Sequence, residues 1–373
     1  MIALGLAALA LLIWLGLAAT GFWRTDINDR RVRKVEPSVW PSVVAIVPAR
    51  NEADVIARSI GSLAAQDYPG SFSIVLVDDN SDDGTADIVS GLASDRLQIL
   101  SGTPLAGGWT GKLWAVSQGV EAAGTPDYLW LTDADIEHAP DTLRTLVGIA
   151  GAGDRRLVSF MAKLRCDTLA ERALIPAFVF FFQMLYPFAW VNRPGGIAGA
   201  AGGCMLVRRD ALEAAGGIAA IRNALIDDCT LGMSIKRQGP IWLGLTDRSR
   251  SIRAYDTAGP IAEMIERSAY AQLDYSPLKL AGTVLGLAIV YFVPPLLALF
   301  GAGAARWLGL IAWALMAASF QPMLHFYRRS PSWGLALPAI AAFYAVCTIV
   351  SAWQHGRGRG GMWKGRAQAA VGQ

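Results

Sequence analysis

Residues Met1 to Gly21 form an uninterrupted apolar run, and the basic residues Arg24, Arg30, Arg31, Arg33 and Lys34 follow it rather than precede it. A run of this length spans a bilayer as a helix. With nothing basic ahead of it, the pattern is that of an uncleaved anchor whose C-terminal side faces the cytoplasm, not that of a cleaved leader. Three further apolar stretches run roughly from Leu278 to Phe300, from Trp307 to Leu324 and from Trp333 to Trp353. The chain of 373 residues is 53% apolar, and these end segments hold the excess. The expected organisation is a transmembrane helix at 1–22, a basic juxtamembrane linker at 23–40, a domain of ordinary charge at 41–275, C-terminal transmembrane helices at 276–355 and a basic tail at 356–373. Three C-terminal crossings would place the tail HGRGRGGMWKGR opposite a cytoplasmic central domain, against the positive-inside rule, so either one span is re-entrant or a boundary is shifted.

A formal charge of +3 leaves no nucleic-acid footprint. The cluster Arg30 to Lys34 is suited to anionic headgroups instead. Cys166, Cys204, Cys229 and Cys347 show no CxxC spacing and no disulfide framework, which fits a reducing cytoplasm. His138, His325 and His355 make no zinc pattern with them.

Within the central domain, SVVAIVPARNE reads as a β-branched strand, and Ile56, Ile60 and Leu63 have helical spacing. Strand SIVLV, helix TADIVSGLA, strand LQIL, helix KLWAVSQGVEAA and strand YLWLT follow in turn. Such alternation predicts an α/β fold, a Rossmann-like, mostly parallel sheet covered on both faces. Open parallel sheets bind ligands beyond the carboxyl ends of their strands. Three polar loops begin at such ends: PARNE, DDNSDDGT and TDADIEHAP. There is no GxGxxG and no GxxxxGK[ST], so the dinucleotide and P-loop readings lack their glycines.

VDDNSDDGT starts like a calcium loop, but its twelfth position is Ser90, where a bidentate Glu is needed. A solvated turn of capping residues is the plainer reading of the same stretch. In TDADIEHAP, Asp133 and Asp135 flank a small residue at a strand end, and oxygen-only ligands suit a divalent metal, Mg²⁺ or Mn²⁺, carrying a diphosphate. The competing role for Asp135 is a cap for the helix starting near Pro140. Lys112, after two glycines and Trp109, stands where a cation meets phosphate oxygens or simply lies in solvent at a helix start. Asp227 and Asp228 head a helix that ends at Gly239. Either can be its N-cap, and Asp228 is the candidate general base.

These motifs resemble the family 2 inverting glycosyltransferases of GT-A fold, and more narrowly the hopene-associated glycosyltransferases of bacterial hopanoid clusters. The resemblance spans about Val43 to Arg253. It implies nucleotide-sugar binding by Pro48, Ala49, Arg50, Asn51 and Glu52 and by Asp78 and Asp79, with Asp82 and Asp83 capping the next helix. It implies that Asp133 and Asp135 hold the metal and the sugar diphosphate, with Lys112 and Asp227 beside them and Asp228 as base. Processive members carry QxxRW after the acidic pair. Here QGPIW, Gln238 to Trp242, has Ile241 in place of Arg, which implies transfer of one sugar, and Arg267 is a positional substitute for the missing cation.

The implied reaction moves one sugar from a nucleotide-diphosphate sugar, such as a UDP-sugar, to a hydroxyl of a membrane lipid, a hopanoid by the narrower resemblance. The implied location is multi-pass in the bacterial inner membrane, with the catalytic domain facing the cytoplasm. ALIPAFVFFFQMLYPFAWV, residues 173–191, is nearly as apolar as a span. A true crossing would separate Asp135 from Asp228, so an interfacial segment presenting the lipid is expected, with a buried helix as the alternative. Rival functions are transfer to another lipid, a polyprenyl phosphate or a sphingolipid-like acceptor, and non-catalytic binding of nucleotide sugars at the membrane.

Overall fold

The computed structural model describes residues 1–92, 94–359, 361–363 and 366–367. Of the expected basic tail, residues 360, 364, 365 and 368–373 lie outside the described residues. The chain forms two compact units. Among the described residues, one comprises Met1–Thr25, Cys166–Ala189 and Tyr255–Gly361; the other comprises Asp26–Arg165, Trp190–Ala254, Met362, Trp363, Arg366 and Ala367.

The second unit is built on a sheet with eight strands among the described residues: β1 (Val43–Ala49), β2 (Phe72–Asp78), β3 (Leu97–Ser101), β4 (Tyr128–Leu131), β5 (Ile136–His138), β6 (Leu157–Lys163), β7 (Met205–Arg208) and β8 (Ile241–Ser251). Their order is β3-β2-β1-β4-β7-β6-β8-β5. The half β3-β2-β1-β4 is parallel, as the alternation of strands and helices predicts. Beyond it β7 runs antiparallel to both β4 and β6, β6 and β8 are parallel, and β5 is antiparallel to β8. All seven residues of β1 are buried, as expected of a strand covered on both faces. Helix Gly111–Ala122 can approach closely because Gly119 has no side chain: a Cβ there would lie 2.6 Å from Ile46 Cγ2 and 3.2 Å from Val77 Cγ2.

Two boundaries differ from the sequence expectation. The region 23–40 is no loose linker beyond Thr25: Asp29 is buried and accepts hydrogen bonds from Thr246 Oγ1 and Arg248 Nη1, each at 2.7 Å, and Arg30 pairs with Asp247 at 3.0 Å. The expected domain 41–275 also contains two stretches, Cys166–Ala189 and Tyr255–Tyr275, that pack into the first unit.

The first unit holds four helices, among the described residues, that are long and apolar enough to cross a membrane: Ile2–Thr20, Pro277–Phe300, Gly303–Phe326 and Leu337–Gly356. The 19 residues of the first extend ~28 Å at 1.5 Å per residue. Trp14 on it donates to the carbonyl of Val290 at 2.9 Å, and its ring meets Tyr291 edge-on at 5.5 Å. Pro294 and Pro295 cannot donate to the preceding turn, and the helix widens to a π turn at Ala288–Phe292 just ahead of them.

The stretch expected at the interface forms most of helix Leu169–Leu185, with a capping box at Thr168 and Glu171 and Pro176 inside. Phe180 is fully buried and packs on Phe22 and Phe320, with ring centroids 5.1 and 5.0 Å apart. Leu174 accepts a hydrogen bond from Tyr344 Oη at 2.9 Å. The aromatic side chains that pointed to headgroup depth thus largely find protein partners, which is the buried-helix alternative, while Leu185 and Trp190 are exposed.

Candidate functional site

The loops after β1 and β2 are laced together. Arg50 Nη1 donates to the carbonyls of Asp79 and Asn80 at 2.5 and 2.9 Å. Asn51 donates its amide to Ser81 Oγ and accepts the Asp82 amide at Oδ1, each at 3.0 Å. Asp83 Oδ1 accepts from the Thr85 amide and its Oδ2 from the Ala53 amide, each at 3.0 Å, but the N-cap of helix Thr85–Ser90 is Gly84, so neither Asp82 nor Asp83 is the expected cap. Asp82 enters this lacing through its main chain instead. Asp78 holds Ser81 Oγ at 2.5 Å, and Asp79 is fully buried. The concentration of aspartates therefore shapes the loop first, and neither Asp78 nor Asp79 stands open to solvent.

A second group assembles around Lys112. Thr110 caps helix Gly111–Ala122 by accepting from the Leu113 amide at 3.3 Å, which places Lys112 in the first turn. A cation is unfavourable at that end of a helix dipole. Carboxylates offset this: Lys112 Nζ lies 2.9 Å from Asp133 Oδ1, beyond β4, and 3.0 Å from Asp227 Oδ2. Burial by itself would lower the pKa of Lys112, but Asp133, Asp227 and Asp228 outweigh it and hold the ammonium well above its ordinary value.

Asp227 and Asp228 open helix Asp227–Lys236, whose N-cap is Ile226, so neither is the cap. Asp228 accepts from the Gly202 amide at Oδ2 (2.9 Å) and from the Cys229 amide at Oδ1 (2.7 Å). Burial and then the neighbouring Asp227 push its carboxyl up, while Lys112 and the two amides pull it back, leaving it raised to about 6. The loop that carries Gly202 is fastened along the same helix. Cys229 Sγ donates to the Ala200 carbonyl at 3.5 Å, and Lys236 Nζ donates to the carbonyls of Val191 (2.7 Å) and Ile197. Gly232 has no room for a Cβ, which would sit 3.1 Å from the backbone of Gly199. A small cavity of about 20 Å³ opens here, lined by Pro48, Lys112, Thr132, Asp133, Gly202 and Asp227 among others.

Asp135 belongs to a third group. Its Oδ2 accepts from Arg253 Nε at 3.0 Å and from Ser251 Oγ at 3.2 Å, and Arg253 Nη2 also pairs with Glu52. The two acids of the DxD thus face different cations, Lys112 and Arg253, and Asp135 caps no helix. Among the described residues no three His, Cys, Asp or Glu side chains converge as a ready metal cluster. Sequence reasoning missed Arg253, Ser251 and Gly202. Ile241 and Trp242 of QGPIW are buried at the start of β8, and Arg253, just past the other end of that strand, pairs with Asp135 and Glu52. Arg267 lies in the last turn of helix Ala258–Ala269, in the first unit.

Residues 44–216 match the family model described as Glycosyl transferase family 2. The chain is similar to the beta-monoglucosyldiacylglycerol synthases of Trichormus variabilis (strain ATCC 29413 / PCC 7937) and Nostoc sp. (strain PCC 7120 / SAG 25.82 / UTEX 2576). Each is 31% identical over 211 residues, 54% of this chain and 43% of the relative. It therefore spans less than half the length of these curated relatives. Among solved structures, the mannosyltransferase PcManGT from Pyrobaculum calidifontis, in complex with GDP-Man and Mn²⁺, superimposes with a TM-score of 0.57 at 20% identity, covering 95% of this chain and 99% of that one. This similarity establishes the GT-A fold.

Proposed function

We propose that the protein, whose residues 44–216 match the family 2 glycosyl transferase model and whose fold is GT-A, is a membrane-bound inverting glycosyltransferase that moves one sugar from a nucleotide-diphosphate sugar to a lipid hydroxyl. The observation that carries this reading is Asp228: a carboxyl raised to about 6, held by two amides, beside a cavity lined by Asp133, Asp227 and Lys112. A base with a pKa near the working pH combines a useful ionised fraction with proton affinity. In this reading Asp228 takes the proton of the acceptor hydroxyl as its oxygen attacks the anomeric carbon, opposite the departing nucleoside diphosphate. A single displacement inverts the configuration. Lys112 stabilises charge building on the leaving diphosphate.

The carboxylate oxygens of Asp133 and Asp135 have the right chemistry for Mg²⁺ or Mn²⁺, which one or two carboxylates plus substrate phosphates are enough to hold. When bound, such an ion would supply Lewis-acid stabilisation of the diphosphate. Pro48, Ala49, Arg50, Asn51 and Glu52, with Asp78 and Asp79, are proposed to frame the nucleotide: Arg50 and Asp83 brace the two loops that would enclose it.

Four helices able to span a bilayer favour a lipid acceptor. The narrower resemblance makes that acceptor a hopanoid in the inner membrane, with the site on the cytoplasmic side. The relatives' names favour a second acceptor, a diacylglycerol hydroxyl. The test is radiolabel transfer from a panel of nucleotide sugars into hopanoid, diacylglycerol and polyprenyl phosphate, with and without Mg²⁺ or Mn²⁺, for wild type and Asp228→Asn. Label in one lipid that depends on metal and on Asp228 is the expected result. Label in no lipid, or equal transfer by the variant, would overturn the reading.

A further inference from the structure

We propose that Arg253, together with Lys112, is the resident counter-ion of the DxD carboxylates, so that a divalent ion gains this pair only in company with a diphosphate. The inference rests on the reading of Asp133 and Asp135 as metal ligands. Each acid already has a cation at hydrogen-bond distance: Lys112 Nζ is 2.9 Å from Asp133 Oδ1, and Arg253 Nε is 3.0 Å from Asp135 Oδ2. Neither pair is a loose surface contact. The side chains of Lys112 and Arg253 are 18% and 29% exposed, and those of Asp133 and Asp135 are 33% and 16% exposed.

A metal ion arriving alone would have to share these oxygens with two positive charges, and like charges at such separations repel strongly outside bulk water. A diphosphate changes the balance. It brings negative charge of its own and a set of acceptor oxygens, which a planar guanidinium and an ammonium bind at least as well as they bind carboxylates. Lys112 and Arg253 can then pass from carboxylate to phosphate, and the freed carboxylate oxygens become available to the ion. Arg253 carries a further consequence because its other nitrogen holds Glu52, in the loop after β1. Its transfer would release the carboxylates of two loops at once. Arg253 thus holds Asp135 and Glu52 until it meets the diphosphate itself.

The experiment measures Mn²⁺ binding to the full-length protein in detergent, by the electron paramagnetic resonance signal of free Mn²⁺, with and without UDP. Wild type should bind Mn²⁺ weakly alone and at least about tenfold more tightly with UDP, within the usual range of coupling between ligands. Arg253→Gln should bind Mn²⁺ alone roughly tenfold more tightly than wild type and show less coupling to UDP. Arg253→Lys, which keeps the charge, should restore the wild-type pattern, whereas a merely structural arginine would leave Mn²⁺ affinity in Arg253→Gln unchanged or weaker. Wild-type affinity that is the same with and without UDP would overturn the proposal without recourse to any variant. Failure of wild type to bind Mn²⁺ even with UDP, or binding untouched by Asp133→Asn and Asp135→Asn, would overturn the metal reading beneath it and the proposal with it.

Discussion

The Gly202 amide points at Asp228 and donates to its Oδ2 at 2.9 Å, so the proposed base is oriented by a loop 26 residues earlier in the chain. Ionisation of Asp228 should appear as the acidic limb of the pH profile. Its carboxyl is raised from its ordinary value of 3.8 to about 6, so the basic form is lost as pH falls through about 6. Below that point kcat/KM should drop about tenfold per pH unit. Asp228→Asn should lower kcat by roughly 10²–10⁴-fold with UDP affinity preserved, as read by isothermal titration.

Lys112→Met should move that limb. Lys112 pulls the Asp228 carboxyl down against burial and Asp227, so its removal lets the pKa climb further. The midpoint of the acidic limb should therefore shift to higher pH, and the plateau value should fall by about 10²-fold as a phosphate-facing cation is lost. A pH series of kcat/KM for the two proteins measures both effects. An unmoved midpoint would separate Lys112 from the base.

Gly232→Ala tests whether the loop on helix Asp227–Lys236 matters for turnover. The added methyl would meet Gly199 at 3.1 Å and Ala200 at 3.2 Å. Overpacking of this kind costs about 1–3 kcal/mol. Thermal unfolding should show a lower midpoint, and kcat should fall because Gly202 shifts away from Asp228. Normal kcat with a lowered midpoint would make the loop purely structural.

His138 offers a test on stability alone. Thr132 Oγ1 donates to the Gly203 carbonyl at 2.9 Å, so the imidazole Nε2–H must donate to Thr132 (2.9 Å) while Nδ1 accepts from Ser249 (3.0 Å). Burial lowers the His138 pKa from 6.5 to about 3. The unfolded chain takes up this proton as pH falls through 6.5, whereas the folded one resists until about 3, so this residue's contribution to stability is complete above 6.5 and shrinks toward acid. His138→Phe leaves two hydroxyls short of a partner and should cost about 1–3 kcal/mol at pH 8. Its deficit against wild type should narrow on acidification, as followed by thermal unfolding at several pH values.

The parallel half of the sheet was legible in the sequence because strands such as VVAIVPA and YLWL are continuous apolar runs that end in polar loops, and helices alternate with them. PARNE, DDNSDDGT and TDADIEHAP all lie where such ends predict. The other half was not legible. β7 is four residues long, and β8 ends in the charged run DRSRS, so neither reads as a covered strand. Arg253 was missed for a related reason. Its partners Asp135 and Glu52 lie 118 and 201 positions away, and only the antiparallel pairing of β5 with β8 brings the first of them near. Asp133, Asp227 and Lys112 were chosen separately by residue type, and the structure joins them through a single ammonium.

The place of β7 also governs how the protein can be made. β7 sits between β4 and β6, yet it begins at Met205, after the stretch Cys166–Ala189 that belongs to the other unit. When β4 leaves the ribosome, its free edge must wait for β7, roughly 4–15 s at ordinary translation speeds. During that wait the nascent chain has also exposed the apolar helix Leu169–Leu185. A chain stalled before Met205 would carry an unpaired strand edge beside a sticky helix, the combination most prone to misassociation. Completion of the sheet is in this way timed to follow synthesis of that helix.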